Sequence, residues 1–146
     1  MKIKVAWIGK TKEAAIQALA EEYLKRIGRY VEIDGAPLKD EAGVLALCAA
    51  NARPRHALVL LDSRGKQFSS EEFAKWLDDS QGRSSMPLLF AVGGADGFSE
   101  NARKSATLVL SLGKMTLAHE LARVVMLEQV YRAFTILKGH PYHLGH

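Results

Sequence analysis

Three segments of the chain place glycine and polar residues directly after an apolar run, at residues 61–66, 93–97 and 112–117. Ligands of open α/β proteins bind beyond the carboxyl ends of parallel strands, which is where such segments would lie. Glycine allows a ligand to approach the backbone closely, and the polar backbone groups of a loop could hold a purine ring or a carboxylate. An ordinary turn is the alternative for the first two segments, and it is the simpler interpretation of residues 61–66. For the third segment, the alternative is that Thr116 caps the helix that follows.

The C-terminal end, residues 138–146, carries a second group of side chains that could do chemistry. Tyr142 could stack on a nucleobase and His143 could contact a phosphate. Histidine is also the side chain that most readily exchanges a proton near neutral pH. The alternative is a frayed polar tail, which is common at chain ends.

Residue spacing excludes several common sites. Neither the dinucleotide fingerprint G-x-G-x-x-G nor the P-loop G-x-x-x-x-G-K-[ST] occurs in the chain. His119 and Glu120 do not form H-E-x-x-H because position 123 is arginine, so we expect no metal site. Cys48 is the single cysteine and lies in an apolar run, which favours a packed thiol over a reactive one.

Strand-like and helix-like patterns alternate along the chain, and these elements must position the segments above. Strands are predicted at residues 3–8, 30–33 (stopped by Asp34 and Gly35), 56–61, 86–92 and 107–112. Helix caps are predicted at Thr11, Asp40, Ser69, Ser99 and Thr116, and Ser69 forms a capping box with Glu72. The second helix is predicted to end at the Arg53-Pro54 step. The alternation predicts one α/β domain over residues 1–146, with a mostly parallel sheet covered by helices on both faces.

The last helix, from about residue 118 to residue 138, has apolar residues all round its circumference. Such a helix needs apolar cover on more than one side. A second subunit could supply part of that cover, and two-fold dimers are common among soluble proteins. We therefore expect a homodimer. The alternative is a helix buried wholly within one subunit.

Composition sets the broad class of the protein. The chain has 146 residues, 48% of them hydrophobic and 25% charged, with a formal net charge of +4, which is typical of a soluble domain with a real core. The charge permits an anionic partner without requiring one. No segment has the roughly 20 apolar residues that span a bilayer, and no secretory signal is visible, so we expect a cytoplasmic protein without a membrane partner.

Taken together, the segments resemble one family over essentially the whole chain. The resemblance rests on the strand at residues 2–10, Leu61-Asp62 with Gly65-Lys66, Gly93-Gly94 with Gly97, Lys114-Met115-Thr116 with His119, Arg123-Val124, residues 128–133 and Tyr142-His143. On these residues the chain is similar to the SPOUT-class methyltransferases that modify N3 of a pseudouridine in bacterial large-subunit (23S) ribosomal RNA. The chain departs from that family at Ala118, where proline is frequent, at Glu120, and in the tail extension Leu144-Gly145-His146.

The resemblance implies an S-adenosylmethionine cofactor, a C-terminal trefoil knot and an obligate dimer with cofactor sites near the subunit interface. By matching positions, the cofactor should contact Leu61, Gly93, Leu112, Gly113, Lys114, Met115, Thr116 and Leu117. The RNA, in the large subunit or the assembled ribosome, should contact Arg132, Lys138, Tyr142 and His143. The candidate catalytic residues are His143, Tyr142 and Arg123.

The chemistry that the resemblance implies needs in-line placement of the methyl donor and removal of a proton from the ring nitrogen. His143 is the first candidate for assisting that removal. For Arg123 and Arg132, solvated helix charge or ion pairs between subunits are equally good explanations. Three other functions stay open: a SPOUT methyltransferase acting on another RNA such as tRNA, a non-catalytic RNA-binding or ribosome-associated α/β protein, and a nucleotide-binding Rossmann protein, which the missing fingerprint disfavours.

Overall fold

A computed structural model describes residues 1–145; His146, the end of the predicted tail extension, lies outside the described residues. The strands in this range are β1 (Lys2–Ile8), β2 (Glu32–Leu38), β3 (Ala57–Gln67), β4 (Leu88–Val92) and β5 (Leu108–Ser111). The helices are α1 (Ala14–Ile27), α2 (Glu41–Cys48), α3 (Ser70–Arg83), α4 (Glu100–Ser105) and α5 (His119–Leu137), followed by a 3₁₀ turn at His143–Gly145.

The strands form one sheet in the order β2-β1-β4-β3-β5, and every neighbouring pair is parallel. The carboxyl ends of β3, β4 and β5 therefore lie along one edge of the sheet. Leu61 of β3 pairs with Val92 of β4 and with Leu110 of β5. This register brings the three predicted ligand segments together, because each of them follows one of these paired positions.

Alternating side chains of the central strands enter two separate cores. Val5, Val59 and Phe90 pack on one face of the sheet with residues of α1, α3 and α5. Leu58, Leu60, Leu89 and Ala91 pack on the other face with residues of α2 and α4. The predicted α/β fold with helices on both faces is confirmed. The knot implied by the resemblance depends on how the chain threads, and it stays a prediction.

Helix starts were predicted correctly where a short polar side chain caps its own helix. Asp40 accepts a hydrogen bond from the Gly43 amide, Ser99 accepts one from the Ala102 amide, and Ser69 and Glu72 form the full capping box. The caps predicted at Thr11 and Thr116 are wrong, whereas the predicted start of the last helix near residue 118 is confirmed. The residues before α1 and α5 are Glu13 and Ala118, and neither makes a side-chain cap.

The second strand was predicted to stop at Asp34 and Gly35, but β2 continues to Leu38. A Cβ at Gly35 would lie 2.9 Å from the Leu24 side chain and 3.1 Å from the Trp7 ring. Glycine is therefore required by close packing inside the strand and does not mark a turn. The predicted end of the second helix at Pro54 was also late, because α2 ends at Cys48.

The segment at residues 61–66 is not a turn that follows a finished strand. β3 runs on to Gln67, and both Leu61 and Lys66 pair with Leu110, so residues 62–65 bulge out of the ladder. A Cβ at Gly65 would lie 2.6 Å from the Val109 carbonyl oxygen. The bulge therefore requires glycine where it crosses β5.

Most of α5 is buried within the single chain. Val124, Met126, Leu127, Val130 and Phe134 are all at most 8% exposed, because α1 and α3 pack against this helix. The apolar circumference is thus largely explained without a second subunit, and it no longer argues for a dimer. In the described part of the chain, no helix is both long and apolar enough to cross a bilayer.

Candidate functional site

A cavity of about 290 Å³ lies at the carboxyl ends of β3, β4 and β5, near the lower end of the size range of ligand pockets. Seven of the eight residues predicted to contact a cofactor line it: Leu61, Gly93, Leu112, Gly113, Met115, Thr116 and Leu117. The eighth, Lys114, is exposed and does not line the cavity. Residues far apart in sequence thus converge as the strand register requires.

The cavity also contains residues that were not predicted as contacts. Asp62, Ser63 and Arg64 come from the β3 bulge, and residues 94–97 complete the loop after β4. These residues belong to the segments 61–66 and 93–97, whose glycine and polar residues after an apolar run indicated a ligand site, although the individual residues were not assigned as contacts. His119 and Ala122 come from the first turn of α5, and no local sequence feature indicated their placement.

The loop between β5 and α5 is held by a buried serine. The Ser111 hydroxyl accepts a hydrogen bond from the Gly113 amide at 3.1 Å and donates one to the Gly113 carbonyl at 3.0 Å. Gly113 adopts φ +135°, a conformation that favours glycine. The loop therefore turns at a fixed point, while Met115 in the same loop is 87% exposed.

Position 93 requires glycine mainly because the loop that follows β4 packs closely around it. A Cβ there would lie 3.1 Å from the Phe98 ring and 3.3 Å from the Gly97 Cα. Phe98 is itself buried. A larger residue at position 93 would therefore displace the loop as well as narrow the approach to the backbone.

Arg123 is a buried side chain, 1% exposed, so the interpretation of solvated helix charge is wrong. Its guanidinium donates to the Ile8 carbonyl at 2.8 Å and to the Thr11 hydroxyl at 3.0 Å. Burial lowers the pKa of Arg123 because the charged form loses hydration. Thr11, predicted as a helix cap, instead accepts a hydrogen bond from the long helix.

Glu120, one of the positions where the chain departs from the family pattern, also binds the loop between β1 and α1. Its carboxylate accepts hydrogen bonds from the backbone amides of Lys12 and Glu13, each at 3.1 Å. These amide donors lower the pKa of Glu120, since they stabilise the ionised form. The first turn of α5 thus holds the end of β1 beside the cavity.

The predicted RNA-contacting residues of the tail form a cluster with two carboxylates. Arg132 binds Glu128 at 2.7 Å and His143 Nδ1 at 2.9 Å. The Tyr142 hydroxyl donates to Glu128 at 2.8 Å, and the Arg132 guanidinium lies 4.9 Å from the centre of the Tyr142 ring. Burial and the Glu128 carboxylate raise the pKa of Tyr142. Lys138, the fourth predicted RNA contact, is exposed.

Both ring nitrogens of His143 are engaged. Arginine can only donate, so Nδ1 is the acceptor and the hydrogen lies on Nε2, which donates to Glu71. The His143 contact lowers the pKa of Glu71. In this arrangement His143 can take a proton from a substrate only after its Nδ1 is released from Arg132.

The structure does not bring the tail to the cavity of the same chain. Ala122 lines the cavity, whereas Arg132 lies ten residues further along α5, which corresponds to roughly 15 Å of helix. The candidate catalytic residues Tyr142 and His143 contact the Arg132 end of the helix. Within residues 1–145, no group of three or more His, Cys, Asp or Glu side chains is arranged to hold a metal ion.

Comparison with known sequences matches residues 1–143 to the family described as "Predicted SPOUT methyltransferase". The chain is 55% identical over 146 residues to ribosomal RNA large subunit methyltransferase H of Koribacter versatilis, with 100% of both chains covered. It is 43% identical over 156 residues to the protein of the same name from Geotalea daltonii, covering 98% of this chain and 99% of the relative.

Solved structures share the fold at low sequence identity. A probable methylase family protein of Haemophilus influenzae aligns with a TM-score of 0.60 at 9% identity, covering 96% of this chain and 69% of that chain. A probable methyltransferase of Bordetella pertussis aligns at 0.59 and 10% identity, covering 90% and 93%. The SpoU methyltransferase AviRb of Streptomyces viridochromogenes aligns at 0.55 and 13% identity, covering 94% and 60%; it has also been solved with AdoMet.

Proposed function

The chain belongs to the SPOUT methyltransferase family, alongside the ribosomal RNA large subunit methyltransferase H proteins, and on that premise we propose that it methylates N3 of a pseudouridine in bacterial 23S ribosomal RNA. The methyl donor in this proposal is S-adenosylmethionine. The substrate is the ribosomal RNA of the large subunit or of the assembled ribosome, which places the reaction in the cytoplasm.

One observation carries the cofactor assignment. Seven residues chosen by resemblance from three distant segments line a single cavity of about 290 Å³. The loop backbone at residues 112–117 forms one wall, and the glycines after β4 form another, as suits a flat ring system approached by backbone groups. The residues present therefore fit a nucleoside-containing cofactor.

When bound, the cofactor would supply a methyl group on a sulfonium, which is already electrophilic. The chain must then place the ring nitrogen in line with that group and accept the proton it carries. Leu61, Gly93 and the 112–117 loop hold the donor in this proposal. Arg123 acts as a positioning residue, because its guanidinium is committed to Ile8 and Thr11 at the end of β1.

The tail residues enter the proposal through a second subunit. Tyr142 contacts Glu128 and His143 contacts Arg132, six and ten residues beyond the cavity residue Ala122 on α5, which corresponds to roughly 9 and 15 Å of helix. They therefore reach a cofactor most directly in a homodimer that apposes one tail with the partner's cavity. Met115 and Leu121 are exposed apolar residues near the cavity end of α5, at 87% and 43% exposure. Burying them would favour such a dimer.

The decisive experiment is the mapping of methylated nucleosides in ribosomal RNA, by mass spectrometry, from cells with and without this protein. The proposal predicts one N3-methylated pseudouridine in 23S RNA that is lost with the gene and restored by the purified protein and S-adenosylmethionine. A modification that appears in tRNA would instead favour the related enzyme class. Cofactor binding by calorimetry separates either enzyme from a non-catalytic RNA-binding protein.

The role of His143 is tested separately. His143→Ala should slow single-turnover methylation and leave cofactor affinity within about twofold, because in this proposal the cavity residues hold the cofactor and His143 acts on the RNA. His143→Gln is the matched variant, because it keeps a polar side chain but cannot accept a proton near neutral pH. Unchanged turnover in both variants would remove His143 from the mechanism.

A further inference from the structure

Asp62 stands out among the cavity residues because its carboxylate is almost fully buried. Its side chain is 7% exposed and lines the cavity. The residue directly follows Leu61, which pairs with Val92, so Asp62 lies beside Gly93 at the carboxyl ends of β3 and β4. A buried carboxylate is costly unless its charge and both oxygens are satisfied.

The two oxygens of Asp62 differ in their partners. Oδ1 accepts a hydrogen bond from the Arg64 amide at 2.9 Å, and Arg64 Nε lies 3.6 Å from the same oxygen. Oδ2 lies 3.6 Å from Arg103 Nη1, which is too long for a hydrogen bond. That Arg103 nitrogen instead donates to the Phe98 carbonyl at 2.7 Å. Within residues 1–145, Oδ2 therefore has a neighbouring positive charge and no hydrogen-bond donor.

We propose that Asp62 Oδ2 accepts hydrogen bonds from the ribose hydroxyls of the bound cofactor, an inference that rests on the proposed function. Two guanidinium groups already lie within 4 Å of the carboxylate, so its negative charge has positive neighbours. What Oδ2 still needs is a hydrogen-bond donor at short range. A vicinal diol supplies two neutral O–H donors. Carboxylates beside a strand end hold ribose hydroxyls in the same way in other open α/β folds.

This assignment gives Arg103 a positioning role. Its guanidinium is fixed by the Phe98 carbonyl and lies beside Oδ2 without occupying it. It thus places a positive charge beside the carboxylate without donating to Oδ2, which leaves that oxygen available to a ligand in the cavity. The bulge that carries Asp62 is fixed in turn by the close crossing of Gly65 over β5.

The test is calorimetric and does not depend on methyl transfer. S-adenosylhomocysteine and its 2′-deoxy analogue are titrated into wild-type protein, Asp62→Asn and the surface control Asp78→Asn. Asparagine keeps Oδ1 as an acceptor for the Arg64 amide and removes the charged acceptor at the second position. We expect Asp62→Asn to weaken S-adenosylhomocysteine about 10- to 100-fold. The 2′-deoxy analogue, which keeps only one of the two hydroxyl donors, should be weakened by a clearly smaller factor, and Asp78→Asn should change neither affinity.

The other outcomes are equally informative. If Asp62→Asn weakens both ligands to the same extent, the carboxylate acts on another part of the cofactor, and the ribose assignment is wrong. If Asp62→Asn does not fold, the affinities of the wild-type protein for the two ligands provide the test. Equal affinities overturn the inference, and a lower affinity for the 2′-deoxy analogue supports it. Failure of wild-type protein to bind S-adenosylhomocysteine would contradict the proposed cofactor itself, which separates the two failures.

Discussion

The guanidinium of Arg123, in the first turns of α5, donates a hydrogen bond of 2.8 Å to the backbone carbonyl of Ile8, the last residue of β1. The two residues are separated by 115 positions in the sequence. A second bond to Thr11 fixes the chain as it leaves the strand. The contact thus fixes α5, which borders the cavity, against the end of β1 in the sheet.

Replacing Arg123 with methionine should therefore lower stability. The change keeps much of the apolar length of the side chain but leaves the Ile8 carbonyl and the Thr11 hydroxyl without their donor, at a cost of about 2–4 kcal/mol. Denaturant unfolding measures this loss, and Arg29→Met, at an exposed position, is the matched control. Equal stability of the two variants would show that the buried contact contributes nothing.

Gly65 should tolerate no side chain. An alanine Cβ would lie 2.6 Å from the Val109 carbonyl oxygen, so β3 and β5 would have to separate, at a cost of about 3 kcal/mol or more. Gly82 in α3 is the control, because a Cβ added there would meet no atom of residues 1–145 within 4 Å outside its chain neighbours and its own helix backbone. Alanine also favours a helix over glycine by up to about 1 kcal/mol. Thermal unfolding should rank Gly82→Ala above wild type and Gly65→Ala far below it.

Acid should weaken the contact between the tail and its own chain. The pKa of Glu71 is lowered in the folded protein because His143 donates to its carboxylate. A lowered folded-state pKa means that this stabilisation is present above the ordinary carboxyl range and is lost as the pH falls through the folded-state value. Arg132 and Glu128 face the same ring and its neighbour Tyr142.

The measurement is an NMR titration that follows the ring signals of Tyr142, since the ring signals of His143 also respond to protonation of the imidazole itself. We expect a tail transition at acid pH in wild-type protein that is absent in Glu71→Gln, because glutamine cannot titrate. Glu100→Gln, which changes an exposed carboxylate on α4, should retain the transition. An identical acid transition in Glu71→Gln would assign it to another group.

Cys48 should react slowly with thiol reagents. Burial raises its pKa to about 11, so at pH 8 only about one thiol in a thousand is ionised, and the thiolate is the reactive form. Alkylation followed by mass spectrometry should be roughly a hundredfold slower in the native protein than in denaturant. Comparable rates in the two states would contradict the burial of this thiol.

The sequence by itself determined the fold class and the location of the site. Apolar strand runs separated by amphipathic helices permit little besides a parallel sheet with two covered faces, and both cores are observed. Parallel strands present their carboxyl ends at one edge, so the segments after β4 and β5 had to meet beside the apolar run that ends at Leu61, although β3 itself continues beyond it. The helix caps at Asp40, Ser69 and Ser99 could be predicted from the sequence, because each side chain accepts a hydrogen bond from a backbone amide only three residues later.

Only the tertiary structure decided the features that depend on residues distant in sequence. Glycine is frequent in turns, but Gly35 and Gly65 lie within strands. Glycine is required at these positions because the Trp7 ring and the Val109 carbonyl occupy the space that a side chain would need. Arginine usually lies at the surface, but the Arg123 side chain is buried against the end of β1. The orientation of Asp62 toward the cavity depends on Arg64, Arg103 and the β3 bulge together. Sequence patterns report periodicity and local hydrogen bonding, whereas these positions are set by contacts across the sheet.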